Sequence, residues 1–253
     1  MSKSASKGLI SKVTQLLYPR LYSQADHVIA VSEGAKQDIV QNTTLKPNDV
    51  SVIYNPVVTK ELYAEAAQPV DHRWLNDDTI DVVLGAGRLA EQKDFETLIR
   101  AFEGVAEQNE SARLLIVGTG SKEAQLRTLV SELGLEERAE LVGYVDNLYA
   151  YMNAADVFVL SSKWEGFGIV LVEAMAVGTP VVSTDCPHGP NEILNNGEYG
   201  ELVEIGDTEA MTDSIQKVLS NRDKNKQIIQ RSSDFNGSNI SKKYQDDLCL
   251  ELS

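Results

Sequence analysis

The chain is poor in metal-ligating and redox side chains, with two cysteines, Cys186 and Cys249, and three histidines, His27, His72 and His188. The cysteines make no zinc-type spacing, and nothing signals secretion, so both are expected as reduced thiols in a cytoplasmic chain. No uninterrupted apolar run reaches about 18 residues, the length a membrane-spanning helix needs. The best candidate run is broken by Glu173. Met1 to Gly8 is basic and serine-rich, but Leu9-Ile10 is too short for a signal-peptide core. Asn42-Thr43-Thr44 and Asn236-Gly237-Ser238 match the glycosylation sequon and carry no weight without such a signal. Positive charge is scarce as well: 23 Lys and Arg face 38 Asp and Glu, a net charge of −15. That balance argues against a broad nucleic-acid surface. It leaves room for one small anion held by a few placed cations.

With 42% apolar residues among 253, the chain can bury a full core, as one large α/β domain or a domain with an appended piece. Apolar spacing predicts a helix over 9–23, ahead of a buried strand at His27 to Val31. Ser32 is placed to cap a helix running to about Gln41, and Val50 to Tyr54 forms a second strand closed by Asn55-Pro56. One such β-α-β unit, residues 1–56, cannot bury its own faces and needs a neighbouring sheet. Residues 57–76, with Pro69 and mixed charge, read as a linker.

From residue 79 a regular alternation begins. Strands are predicted at Ile80 to Leu84, Leu114 to Val117, Leu141-Val142, Val157 to Leu160, Pro180 to Ser183 and Tyr199 to Val203. Between them lie a helix capped by Asp94, one carrying Leu126, Leu129, Val130 and Leu133 and stopping at Gly134, and one over about 147–154. Asp207 caps another helix, and two more follow over about 222–231 and 238–250. Near-continuous apolar strands separated by helices indicate a Rossmann-like, doubly wound parallel sheet covered on both faces. The expected units are therefore 77–220 for this domain and 221–253 for the C-terminal helices.

The stretch SSKWEGFGIVLVEAMAVGTPVVST, residues 161–184, is the centre of the pattern. Its helix is apolar all round except for Glu173, and a buried carboxylate needs either water at a cleft or a specific donor. Glu165 lies eight positions earlier, in the turn before Gly166-Phe167-Gly168. The free N–H groups at the start of the helix point into that turn and suit an anion. A core helix with one carboxylate complementing its own first turn is the plain alternative. In a sheet of order 3-2-1-4-5-6, ligands bind beyond the carboxyl ends of strands one and four. Arg88 and Lys93 should then face Glu165 across the crevice, giving two cations and a helix N-terminus for a diphosphate. Gly85-Ala86-Gly87-Arg88-Leu89-Ala90 also fits a dinucleotide fingerprint, but the helix starts only near Asp94. Strand two ends in Gly118-Thr119-Gly120, where that fingerprint wants an acid, which disfavours a nicotinamide oxidoreductase.

These segments together resemble glycosyltransferase family 4: GRLAEQKDFETLIRAF at 87–102, LLIVGTGS at 114–121, LVGYVDN at 141–147, the Glu165 and Glu173 pair, and GPNEIL followed by YGELV. The resemblance covers about 20–245, in order and spacing. It implies a retaining, nucleotide-sugar-dependent enzyme of the GT-B fold, here its C-terminal donor-binding half with an N-terminal β-α-β remnant. The segment Cys186 to Leu194 is similar to enzymes that build lipopolysaccharide, capsule and other surface glycans.

Carried onto this sequence, the resemblance implies that Gly87, Arg88 and Lys93 meet the donor diphosphate. It implies that Arg88 and Lys93 stabilise it as it leaves, so no metal or other cofactor is expected. It puts Glu173 on the ribose hydroxyls and Glu165 at the transferred sugar, flanked by Gly166 and Phe167. Backbone N–H groups of Gly168, Ile169 and Val170 would meet phosphate oxygens, and Gly143, Tyr144 and Val145 would form the base-binding loop. For Tyr144 a partly exposed packing role is the alternative. None of the three histidines sits where the family's catalytic one would, and the acceptor half is represented only by its last strands. The expectation is a fragment or truncated product, or a half whose acceptor site comes from a separate chain. The partners implied are a nucleotide-sugar donor and a glycan or lipid-linked acceptor, in the cytoplasm or at the inner face of the membrane. A nucleotide-sugar-binding subunit without turnover and a nucleotide-sugar epimerase of the same fold are the other readings.

Overall fold

A computed structural model describes residue 22 and residues 24–221 and 226–248. The helix expected over 9–23, apart from residue 22, and Cys249 lie outside them. Strands run at Val28–Ala30 (β1), Val50–Val52 (β2), Asp81–Ala86 (β3), Ala112–Val117 (β4), Ala139–Gly143 (β5), Val157–Leu160 (β6), Val181–Thr184 (β7) and Glu201–Val203 (β8). Helices run at Glu33–Asn42 (α1), Lys60–Ala66 (α2), Phe95–Gln108 (α3), Glu123–Glu132 (α4) and Leu148–Ala154 (α5). They continue at Ile169–Ala176 (α6), Pro190–Ile193 (α7), Thr208–Ser220 (α8), Lys226–Ser232 (α9) and Gly237–Leu248 (α10).

The large sheet has the order β5-β4-β3-β6-β7-β8, all pairs parallel, and β1 and β2 form a separate parallel pair. Counted from β3, this is the doubly wound order 3-2-1-4-5-6 read from the sequence. Alternation along each strand feeds two cores. Val83, Leu114, Ile116, Val157 and Val159 pack with Phe102 of α3, Leu126 of α4 and Ile215 of α8 on one face. Leu84, Leu115, Val117, Phe158 and Leu160 pack with Met152 of α5 and Leu171 and Met175 of α6 on the other. Burial on both faces is why these strands lack polar alternation.

Local signals hold where they were read. Ser32 and Asp207 cap α1 and α8 by accepting from the N–H groups of Ala35 and Ala210. Gly134 ends the α4 turn with φ +66°. Asp94 differs: it is left-handed at φ 44°, and its carboxylate takes the Thr97 hydroxyl and faces Lys163, so no side-chain cap reaches the backbone of α3.

The stretch 57–76 is corrected by the structure. It carries α2, and Val57, Val58, Leu62 and Trp74 are buried in the second core. Thr59 caps α2, while Asn147 and Asn153 donate from the α5 side to the carbonyls of Glu65 and Ala66. A hydrogen-bonded, buried segment is not a linker in the sense of few contacts crossing it.

Candidate functional site

The carboxyl ends of β3 and β6 each continue into a loop, and the two loops are stitched together. Lys163 N donates to the Gln92 carbonyl at 2.8 Å, Gln92 Nε2 to the Trp164 carbonyl at 2.9 Å, and Ser161 Oγ to the Lys93 carbonyl at 2.7 Å. Behind them Gly118 presses on the Gly87 carbonyl with φ +138°, where a Cβ would collide with that oxygen. Gly87 N and Leu89 N donate to the carbonyls of Val117 and Thr119, so the glycines ending β4 serve loop packing. That is a physical reason for glycine where a dinucleotide site would want an acid.

Between these loops opens a cavity of about 480 Å³, lined by Gly87, Lys93, Glu165, Phe167 and the start of α6, with Glu173 one turn deeper. Gly166, Gly168, Ile169 and Val170 complete that wall. Lys93 Nζ donates to Glu165 Oε1 at 2.6 Å, and Ser162 Oγ donates to the same oxygen at 2.6 Å. Both members of the ion pair are largely buried, with side chains 16% and 9% exposed. An ammonium has three N–H donors, so one bond to Glu165 leaves capacity for an anion in the cavity. Gly168 caps α6 at φ 92°, a backbone state that favours glycine, and Gly168, Ile169 and Val170, whose N–H groups begin the helix without intrahelical partners, line the cavity. Burial raises the Glu173 carboxyl above its ordinary range, and the Tyr149 hydroxyl, which donates to it at 3.3 Å, opposes that rise. Burial, and after it the Glu173 carboxylate, pushes the Tyr149 hydroxyl up to about 12, so it remains a donor.

Sequence reasoning brought most of this set together. Gly87, Lys93, Glu165 to Val170 and Glu173 share one cavity. Arg88 is exposed and outside the lining, on the turn directly after Gly87. Gly143, with φ +86°, ends β5, Tyr144, 77% exposed, and Val145 follow it, and all three lie outside the lining. Four lining residues were not singled out: Val31 and Asn55 from the first β-α-β unit, Ala86 and Leu148. Nor were Ser162 and Tyr149, the partners of the two carboxylates. Cys186 is buried beside this wall, and burial lifts its thiol to about 11, so it stays protonated. Among the described residues no three His, Cys, Asp or Glu gather as metal ligands, and no helix is long and apolar enough to cross a membrane.

Comparison with known proteins identifies the family and the fold. Residues 70–235 match the family described as glycosyl transferases group 1, and residues 2–61 match glycosyltransferase family 4. One relative is the N-acetylgalactosamine-N,N'-diacetylbacillosaminyl-diphospho-undecaprenol 4-alpha-N-acetylgalactosaminyltransferase of Campylobacter jejuni, 33% identical over 209 residues. That match covers 83% of this chain and 55% of the relative. Another is the lipopolysaccharide 1,6-galactosyltransferase of Salmonella typhimurium, 31% identical, covering 78% of this chain and 53% of the relative. The chain thus spans about half the length of these curated relatives. Among solved structures, HepE from Anabaena in complex with UDP and glucose superposes with TM-score 0.82 at 24% identity. It covers 95% of this chain and 68% of that one, and at this identity it shows the shared fold alone.

Proposed function

The chain belongs to the group 1 glycosyl transferases, and from that membership we propose that its cavity binds the nucleotide-diphosphate sugar of a retaining glycosyltransferase. The acceptor in this reading is a glycan or a lipid-linked saccharide, met at the cytoplasmic face of a membrane. One observation carries it: a lysine, two carboxylates and a helix N-terminus share one cavity beyond the ends of β3 and β6. The chemistry divides along that wall. Lys93 and the N–H groups of Gly168, Ile169 and Val170 suit the diphosphate, whose charge grows as the sugar departs. Arg88, exposed on the Gly87 turn, supplies the second cation by reaching over the bound group. Glu165, already holding two donors on Oε1, orients sugar hydroxyls and stabilises positive character at the sugar ring. Glu173 accepts from the ribose hydroxyls, which relieves the cost of its burial. Gly143, at the end of β5, with Tyr144 and Val145 beyond it, borders the base.

Titration calorimetry with UDP and GDP tests this. Lys93→Ala and Arg88→Ala are each expected to weaken binding by about 1.5–3 kcal/mol, the usual range for a charge-assisted hydrogen bond. Equal affinity in wild type and both variants would remove the two cations from the site. A donor-hydrolysis assay on the same chain separates an active donor half from a binding subunit without turnover.

A further inference from the structure

Among the described residues, the carboxylate of Glu192, on α7, takes its hydrogen bonds from the first β-α-β unit. Glu33 N, at the start of α1, donates to Oε1 and Oε2 at 3.0 Å each. The Tyr54 hydroxyl, just beyond β2, donates to Oε1 at 2.6 Å. The Tyr54 ring in turn stacks on Phe167, with centroids 5.5 Å apart and planes 23° from parallel. Phe167 lies between Gly166 and Gly168 in the turn that walls the donor cavity. Phe235 closes edge-on against both rings, at 5.3 and 5.5 Å.

Each end of this chain of contacts is held fast. Arg231 donates to the carbonyls of Glu192 and Ile193 at 2.8 and 3.0 Å and to Asp234 at 2.6 Å, which bolts α7 to α9. Gly189, directly before α7, packs on the Phe167 carbonyl so closely that any Cβ would strike it. Ser32, the cap of α1, donates to the Gly166 carbonyl at 3.4 Å. Phe167 is therefore pinned from below by the α7 loop and from above by a ring whose angle Glu192 fixes. Burial and this carboxylate both raise the Tyr54 hydroxyl, so it keeps its proton and its donor role.

We propose that Glu192 is a positioning residue for the donor cavity: by anchoring Tyr54 and the first turn of α1, it fixes the Phe167 turn and couples it to the first β-α-β unit. The cavity's ligand is that of the proposed function, and the inference rests on that reading only for its ligand-dependent half.

Hydrogen exchange on the full chain, without ligand and with UDP or GDP, tests both halves using Tyr54→Phe and Glu192→Gln. Tyr54→Phe keeps the ring and removes one hydroxyl, so packing alone predicts no change. The proposal expects exchange about 10-fold faster or more at 33–42 and at 165–168 in both variants, as loss of a charge-assisted bond implies. Exchange at 114–117, in β4, stays unchanged. Faster exchange at 33–42 with none at 165–168 would make Glu192 a simple clip and overturn the proposal, whatever the ligand does. With ligand, the wild type gains protection at 33–42, and Tyr54→Phe loses that gain while binding about 2- to 30-fold more weakly. Equal affinity and equal gain in Tyr54→Phe also overturn it. If calorimetry finds neither nucleotide bound by the wild type, the nucleotide reading falls, and the ligand-free comparison alone decides the role of Glu192.

Discussion

The first β-α-β unit and the six-stranded domain use the same strand-helix-strand grammar and hold together by different means. In the large domain α3 buries eight of its side chains and α6 five, against strands buried on both faces. In the first unit α1 buries none, and the apolar cluster its buried residues form is Val28, Ala30 and Val50. Two strands of three residues each cannot carry a stable fold alone. What fixes the unit is its polar seam with the larger body, the Glu192, Tyr54 and Ser32 bonds, and the Val57 and Val58 run beside Phe235.

Core truncation separates the two regions most widely. Phe102→Ala, at a fully buried position of α3, is expected to cost about 3–5 kcal/mol in urea denaturation. Ile39→Ala, half-buried on α1, should cost about 1 kcal/mol or less, because little apolar area is lost. Equal costs would show that the first unit has a packed core of its own. Next in size is the ion pair of the cavity. Lys93→Ala leaves Glu165 largely buried with Ser162 as its side-chain donor among the described residues, and should cost about 3 kcal/mol, the lower end for breaking a buried pair. Arg127→Ala, which breaks an exposed pair with Glu123, should cost under about 1 kcal/mol by the same measurement. A Lys93 variant no less stable than the Arg127 variant would mean that water already screens the cavity pair.

The sheet was legible because its strands are apolar runs that need no partner to be recognised. β6 has the predicted bounds, and the other strands differ from expectation at their ends. α2 was not legible: in Lys60–Ala66 Leu62 stands almost alone, and its burial depends on α5 lying alongside. The same holds at the site. Lys93, Glu165 and Glu173 could be read from spacing around a switch point. Tyr149 could not, because it meets Glu173 only through the packing of α5 on α6, 24 residues apart in sequence, whereas Ser162 lies three positions from Glu165 in the same loop. Val31 and Asn55 were hidden for a related reason, since they reach the cavity from the smaller unit. Local pattern reports what an element is; what it touches across a cleft depends on how two bodies meet.

The smallest expected effect is the most diagnostic, because it asks whether a rigid wall carries a residue that weakens it. Burial raises the Glu173 carboxyl above its ordinary value of 4.5, so the folded state holds that proton more tightly than the unfolded state does. Stability from this group is then fully present below pH 4.5 and is lost as pH rises through the higher folded value. Where the folded carboxyl is ionised, its burial is a cost to the fold. Glu173→Gln should therefore raise the denaturation midpoint at pH 7, and that gain should fade as pH falls below 4.5. If Glu173→Gln gains stability at pH 7 and loses nucleotide affinity, the carboxylate is retained for binding at the expense of the fold. If it gains nothing, the Tyr149 hydroxyl already offsets the burial, and the large domain carries no stability cost at this position.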